Sequence, residues 1–387
     1  MANFFKKLFG GTNASVLGID IGSAAIKIVQ LRKKSGQAVL ETYGSLALGP
    51  YGNVEIGRSP NLPPEKIIEA LIDVLRESHV STNQAGLAVP YGASLISVAE
   101  LPEVAEAELM KIIPFEARKY IPVPLSEVML DWMIIPKAVG AADKTRQLQQ
   151  PQPQSQAQAG VEPAQAPPSQ VQKTIEVLLV AMHNETISRY QSIVTQAGLN
   201  VSFLEIEAFS NIRSVLDQGA TSEMLIDIGS ATTKVYIVEK GIIRTPHLVN
   251  HGSQDVTMAL SSKLGISVEE AEVLKRGLVK VPEGQQKDVG EVILQALEPL
   301  FSEINQVLLS YQKRYNKDIA KTSIVGGGAR LANLLTFAES RIRTNVVLGN
   351  PFGKTLAPAF LEQVLKETGP EFAGAVGVAL RKLQEQG

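Results

Sequence analysis

The sequence predicts an α/β protein built from two related lobes, and three observations carry that reading. Short β-rich runs alternate with segments of helical spacing along the chain. The string DIGSAAIKIV, Asp20 to Val29, returns as DIGSATTKVY, Asp227 to Tyr236, with six of the ten positions identical. A repeat so widely spaced is not a solenoid unit, and the simpler account is a duplicated domain with one hairpin in each half. Finally, 387 residues are enough for two to three domains at roughly 150 residues each, every one large enough to bury its own core.

The elements follow in order from the apolar pattern. Val16 to Ile21, Ala25 to Arg32 and Val39 to Leu48 are expected as consecutive strands. Pro64 to Ser78 then places Ile67, Ile68, Leu71 and Leu75 at helix spacing, and Ala105 to Tyr120 is the second helix. Strands Val128 to Ile135 and Thr174 to Met182 flank a low-complexity stretch in which Gln, Pro and Ala dominate from Gln147 to Gln172. Lys137 to Lys173 is therefore expected as a flexible loop between neighbouring antiparallel strands of one domain. Glu185 to Ala197 is helical, Val201 to Ile206 extended and Ala208 to Leu216 helical. The cycle then restarts with strands Met224 to Ile228, Thr232 to Glu239 and Ile242 to Val249. Helices Ser253 to Leu264, Val268 to Gly277 and Val289 to Tyr315 follow, the last expected to bend at Pro299. Strand Thr322 to Val325, helix Ala329 to Arg341, strand Asn345 to Leu348 and helix Phe372 to Leu383 complete the pattern, with Gly374 and Gly377 expected to permit close packing.

Composition excludes several classes of function. With 37 Lys+Arg against 39 Asp+Glu and a net charge of −2, no positive field draws the chain to nucleic acid. The absence of cysteine removes thiolate metal sites, redox motifs and cysteine nucleophiles together. The longest apolar runs, such as Ile175 to Met182, are far shorter than the roughly 18 residues that a membrane span needs. The opening MANFFKKLFG lacks the apolar core and cleavage site of a signal peptide, so a cytoplasmic location is expected. Phe4, Phe5, Leu8 and Phe9 around Lys6 and Lys7 suit either a short amphipathic anchor or a disordered tail.

The repeat has chemical meaning. In each copy an apolar strand delivers an aspartate, Asp20 or Asp227, to its C-terminal end. A glycine, Gly22 or Gly229, permits a tight reversal, and the small residues Ser23, Ala24 and Ala25, or Ser230, Thr232 and Thr233, lead into the next strand. Such turns leave N–H and hydroxyl groups unobstructed, which suits phosphate oxygens. Lys27 can neutralise phosphate charge, and the two aspartates suit a Mg²⁺ held through water. A lone DxGS string would most often be an ordinary β-turn, whereas two copies in corresponding places form a clamp across a cleft. A third turn, Gly326, Gly327, Gly328 and Ala329, is expected to bring backbone and a helix N-terminus close to a flat ring. It lacks the GxGxxG spacing, and the P-loop pattern is absent. His247 and His251 fall at a strand end and a Gly turn, so they read as a structural or solvated pair and not as metal ligands.

In these motifs the chain resembles the actin-like ATPase superfamily, which includes actin, the heat-shock chaperone ATPases, sugar kinases and the division protein FtsA. The likeness runs from Val16 to Leu383. It implies a duplicated actin-like ATPase fold, two lobes around a nucleotide cleft that takes ATP or ADP with Mg²⁺. It also implies that Ala271, Glu272 and Lys275, in AEVLK, belong to a helix holding ribose and adenine, and that Glu207, in LEIEAFS, positions the attacking water. From the residues alone, Glu207 is equally a solvated carboxylate at a strand end.

Within the superfamily the strings IKIVQL, FEARKYIPVPLSEV, HGSQDVT, GISVEEAEVLK and GNPFGK are similar to the PilM family, cytoplasmic actin-like components of the type IV pilus assembly platform. That resemblance implies an FtsA-type inserted subdomain (IC) in the first lobe. The expected division is a tail at 1–15, subdomain IA at 16–85 and 184–222, IC at 86–183, IIA at 223–265 and 320–387, and IIB at 266–319. It further implies slow or absent hydrolysis, contacts with pilus platform and motor proteins, and peripheral placement at the inner membrane through partners. The named partner is the N-terminal cytoplasmic peptide of PilN, docking between IA and the insert; self-association is left open. The candidate groove wall is Phe115, Ala117, Tyr120, Ile121, Pro122, Val123 and Pro124, where the prolines hold an extended backbone, although Phe115 and Ile121 would equally serve as core.

Two other readings share the fold. A sugar or acid kinase needs a carboxylate base facing the acceptor hydroxyl, and Asp73 and Asp131 are the first-half acids that could supply one. A filament former like actin leaves no short signature.

Overall fold

The computed structural model describes residues 15–136, 173–217, 219, 221–281 and 284–385; the Gln/Pro-rich stretch and the FFKKLF segment lie outside the described residues. Strands β1 (Ser15–Ile21), β2 (Ala25–Lys34) and β3 (Gln37–Ala47) form an antiparallel meander. Helix α1 (Pro64–Glu77) follows, burying Ile67, Ala70, Leu71 and Val74, the i, i+3, i+4, i+7 stripe of an amphipathic helix. Strands β4 (Gln84–Val89) and β8 (Asn200–Ile206) lie parallel to β1 and complete a five-stranded sheet in the order β3-β2-β1-β4-β8.

Between β4 and β8 the chain builds a module from β5 (Ser94–Pro102), α2 (Glu106–Ala117), β6 (Val128–Ile135) and β7 (Thr174–His183), then helix α3 (Asn184–Gln196). The module sheet has the order β5-β7-β6. Its central strand explains the long apolar run of the sequence, because β7 is buried on both faces. Val177, Leu179 and Ala181 meet Leu109, Ile113 and Ala117 of α2, while Leu178 on the opposite face joins a cluster with Leu225, Tyr236, Val238 and Ile243 of the second lobe.

Helix α4 (Glu207–Val215) leads to the second lobe: β9 (Ser222–Ile228), β10 (Thr233–Glu239), β11 (Ile242–Val249), α5 (Ser253–Leu264), α6 (Val268–Lys275), α7 (Gln286–Tyr315), β12 (Lys321–Val325), α8 (Leu334–Arg341) and β13 (Asn345–Leu348). The sheet order β11-β10-β9-β12-β13 reproduces that of the first lobe, so the ten-residue repeat extends to whole-lobe topology. Helix α6 begins at a reciprocal capping box, in which Ser267 Oγ accepts from the Glu270 N–H and Glu270 Oε2 accepts from the Ser267 N–H. Helix α7 continues through Pro299. Helices α9 (Glu362–Thr368) and α10 (Ala373–Glu385) follow.

The structure corrects the sequence reading in four places. The insert boundary expected at Gly86 falls inside β4, a strand of the first sheet paired to β1 and β8; this short strand of small and apolar residues has no alternation to betray it. The helix expected from Ala329 begins only at Leu334, because Asn333 at φ +59° separates it from a 3₁₀ turn over Gly327–Arg330. Helix α10, assigned by chain order to the second lobe, packs its Ala375, Val376 and Ala379 against Val16, Val29 and Leu31 of the first sheet. Helix α4, assigned to the first lobe, buries Ala208 and Ile212 against Leu225, Tyr236 and Val325 of the second. The two helices thus cross between lobes and pack on each other.

Small residues make this crossing possible. A Cβ on Gly377 would run into the carbonyl of Ser210, and one on Gly18 into the carbonyl of Ala375. Glu205 closes the contact, accepting from Arg213 Nη1 and Nη2 at 2.6 Å, from Ser210 Oγ at 2.8 Å and from Arg381 Nη1 at 2.9 Å. Gly377→Ala is therefore expected to lower unfolding free energy by about 1–3 kcal/mol. Denaturant melts against a Gln384→Ala surface control check this; equal midpoints would show a looser crossing.

Candidate functional site

The two repeat hairpins face each other across a cleft of about 310 Å³ between the lobes. Each is closed by the same turn bond: Gly22 N–H to Ala25 O at 3.0 Å, and Gly229 N–H to Thr232 O at 3.0 Å. Each also sets an aspartate directly opposite a lysine, Asp20 with Lys27 across β1–β2 and Asp227 with Lys234 across β9–β10. The HGSQDVT string holds the second hairpin in place. Without a Cβ, Gly252 abuts the Ser230 carbonyl, and the first N–H groups of α5, from Ser253 and Gln254, donate to Gly229 O and Ser230 O at 2.9 Å.

Charge gathers on the cleft floor. Glu207, the first residue of α4, accepts from the Tyr91 N–H at 2.8 Å and pairs with Lys234 Nζ at 3.0 Å. Asp227 lies 3.6 Å from the same ammonium and accepts from Asn211 Nδ2 at 3.1 Å. Burial raises the Asp20 carboxyl from the ordinary 3.8 to about 6; Lys27 opposes the shift, and Glu207 and Asp227 add to it. Burial likewise raises Asp227 against the pull of Lys234. For Lys234 burial works against the charge, but Glu207 and Asp227 outweigh it and hold the ammonium protonated far above neutral pH.

The other end of the cleft is lined from α6 and the glycine turn. Glu272 and Lys275 are buried and pair at 2.6 Å, with Arg276 Nε on the second Glu272 oxygen at 2.6 Å. Thr257 Oγ1 donates to Glu272 and accepts from Lys275, both at 2.8 Å. Burial would raise Glu272, yet the charge and hydrogen bond of Lys275, the Arg276 charge and the Thr257 hydroxyl together outweigh it and hold the carboxyl below its usual range. Gly326 sits at φ +88° with no room for a Cβ, which would collide with Asp227 Oδ1; only glycine lets this backbone lie against the second hairpin.

Of the residues singled out from sequence, Asp20, Gly22, Ser23, Ala24, Ala25, Lys27, Glu207, Asp227, Gly229, Ser230, Glu272, Lys275, Gly326 and Gly327 line this one cleft. Five do not. Thr232 serves through its carbonyl in the turn, Thr233 is buried and donates to His251 O at 2.8 Å, Gly328 packs on Ile228, and Ala271 and Ala329 belong to the second core. Sequence reasoning missed Lys234, although it occupies the repeat position of Lys27. It also missed Asn211, Arg276, Arg330 and the segment around Gly57, which reach the cleft only through folding. Neither candidate kinase base faces it: Asp73 accepts from Tyr51 OH at 2.6 Å and pairs with Arg76, and Asp131 is exposed on β6. His247 and His251 pair separately with Glu303 and Asp255.

The partner-wall residues divide. Phe115 is 64% exposed, Tyr120 is at the surface and Pro122 is exposed, whereas Ile121 is buried in the module core. Among the described residues no helix is long and apolar enough to cross a membrane.

Two lobes of one topology, paired hairpins across a cleft and crossing helices between them define an actin-like fold. The profile of the type IV pilus assembly protein PilM family matches residues 18–153 and 160–383, and the chain belongs to that family. A solved PilM-PilN type IV pilus biogenesis complex contains a chain similar to this one at 20% identity and a TM-score of 0.73, over 95% of this chain and 98% of that one. The ethanolamine utilization protein EutJ from Carboxydothermus hydrogenoformans shares 15% identity at a TM-score of 0.50, over 95% and 89% of the two chains. A diol dehydratase-reactivating factor in nucleotide-free form shares 11% at 0.50, over 96% and 100%. At these identities the likeness establishes the fold.

The Asp20 shift has a thermodynamic consequence. The folded state holds this proton more tightly than the unfolded chain, so the associated stability is present below about pH 4 and lost as pH rises through about 6, about 3 kcal/mol in all. In EDTA and without nucleotide, Asp20→Asn is expected to unfold at higher denaturant than the parent at neutral pH, and to lose this part of the pH slope. Coincident pH–stability curves would refute the assignment.

Proposed function

We propose that this chain binds ATP and ADP with Mg²⁺ in the cleft and the N-terminal cytoplasmic peptide of a PilN partner on its first lobe, acting as a nucleotide-responsive component of the pilus platform. The observation that carries the nucleotide reading is the matched pair of hairpins, with the same turn bond and the same Asp–Lys pair on both walls. Phosphates would lie between Gly22–Ala25 and Gly229–Ser230, with Lys27 offsetting their charge, and the nucleoside toward Glu272, Lys275 and Gly326.

The donor set fits Mg²⁺. Asp20 and Asp227 offer oxygen from opposite walls, the hard ligand that this ion prefers, and it retains much of its water. When bound, the ion supplies charge neutralisation at the phosphates. The chain's own part is to orient: the Tyr91 N–H and Lys234 Nζ both engage Glu207 Oε1, and the second carboxylate oxygen would be the one to hold a water by hydrogen bond. Hydrolysis in isolation is expected to be slow or absent, below about 1 s⁻¹.

Calorimetric titration of Mg-ATP tests the cleft: Asp20→Ala and Asp227→Ala should each abolish the Mg²⁺ dependence of binding, and unchanged dependence in both would refute it. For the partner, the solved PilM-PilN complex supplies the motive, and exposed Phe115 and Tyr120 supply the surface. Peptide titration should show at least about tenfold weaker binding for Phe115→Ala with Tyr120→Ala, with ATP binding retained. Ile121 is unsuited to this test because it is core. Association with pilus motor proteins and peripheral placement at the cytoplasmic face of the inner membrane follow from such a contact.

A further inference from the structure

The segment between β3 and α1 is rooted in the first lobe, where the Val54 N–H donates to Gly49 O at 3.1 Å and Leu62 is buried in the first core. Its tip reaches the second lobe. Gly57, at φ +106°, lies so close that a Cβ there would stand 3.1 Å from Glu272 Cβ and 3.2 Å from Thr257 Cγ2. The next turn carries Ser59, whose N–H donates to Gln254 Oε1 of α5 at 2.7 Å. The Ser59 hydroxyl is 2.9 Å from Ser230 Oγ and 3.4 Å from Ser23 Oγ, so it stands between the tips of the two hairpins.

This hydroxyl is not what seats the segment. The Ser59 N–H and the Gly57 contact already fix the tip, leaving the side chain with neutral hydroxyl contacts to Ser230 and Ser23. Phosphate oxygens are charged acceptors and form stronger hydrogen bonds than a hydroxyl does. A phosphate group entering between Ser23 and Ser230 meets Ser59 in its path.

We propose that Ser59 is a phosphate-sensing hydroxyl: poised between Ser23 and Ser230, it donates to the terminal phosphate of a bound nucleoside triphosphate. Residues 53–62 are then held over the cleft more firmly by ATP than by ADP. The inference rests on the nucleotide reading of the cleft, in which the nucleoside lies toward Glu272 and the far end of the triphosphate toward the hairpins. It adds a third contact, from outside the repeat, that neither hairpin contains.

Arg58 provides the readout, because it is exposed immediately before Ser59 and trypsin cleaves after it. The full chain is digested briefly without nucleotide, with Mg-ADP and with Mg-ATP, and cleavage at Arg58 is followed by mass spectrometry beside calorimetric affinities. In the parent, ATP should slow this cut more than ADP does. Ser59→Ala should be cut at the parent's rate without nucleotide, be protected equally by both nucleotides, and lose about tenfold or more in its ATP-to-ADP affinity ratio. Ser59→Thr, which keeps the hydroxyl, should restore the ratio. Equal protection of the parent by ATP and ADP, or an unchanged ratio in Ser59→Ala, overturns the sensor alone. A parent that binds neither nucleotide overturns the cleft reading with it.

Discussion

Three carboxylates share the floor of one cleft, and much of this structure answers that constraint. Asp20, Glu207 and Asp227 come from β1, α4 and β9, and each loses water on folding. An uncompensated buried carboxylate costs several kcal/mol, so the floor holds only because the hairpins return lysines to it and because Tyr91 and Asn211 donate to it. Three negative groups still face two ammoniums, Lys27 and Lys234. Asp20 absorbs the excess by keeping its proton up to about pH 6, and a cation brought in with an anionic ligand would take over that role.

The floor is assembled from both lobes, so its geometry depends on how the lobes are joined. The crossing of α4 and α10 does this joining, and its closeness comes from absent side chains as much as from those present. Gly377 and Gly18 let backbone meet backbone, while Glu205 collects two arginines and a serine at the same place. A Cβ on Gly374 would press on Asp20 Oδ2 at 3.0 Å, which makes α10 a wall of the site as well as a strut.

The inserted module is not a free appendage. One face of β7 belongs to the module core and the other to the core shared with the second lobe. Arg244 reaches Glu176, and Arg314 reaches Glu100, each at 2.5 Å, so ion pairs rim that apolar contact. The surface that carries Phe115 and Tyr120 is therefore mechanically continuous with the lobe that carries the second repeat hairpin.

Sequence by itself determined the duplicated lobes, the two hairpins, the third glycine turn and most of the elements, because each leaves a local trace: an alternation, a helical stripe, or a repeated string of ten. It also contained Lys234, at the repeat position of Lys27, for a reader who carried the repeat through to its eighth residue. Tertiary structure decided what local patterns cannot express. Chain order assigns α4 and α10 to the lobes that precede them, whereas burial sends each across to the other, since their small residues fit only the opposing sheet and each other. β4 was hidden because a central strand buried on both faces carries no polar alternation. Ser59 and Gly57 were hidden for a different reason: nothing in a short, proline-bounded segment announces contacts with residues of another lobe roughly two hundred positions away, and only the closed cleft brings them together.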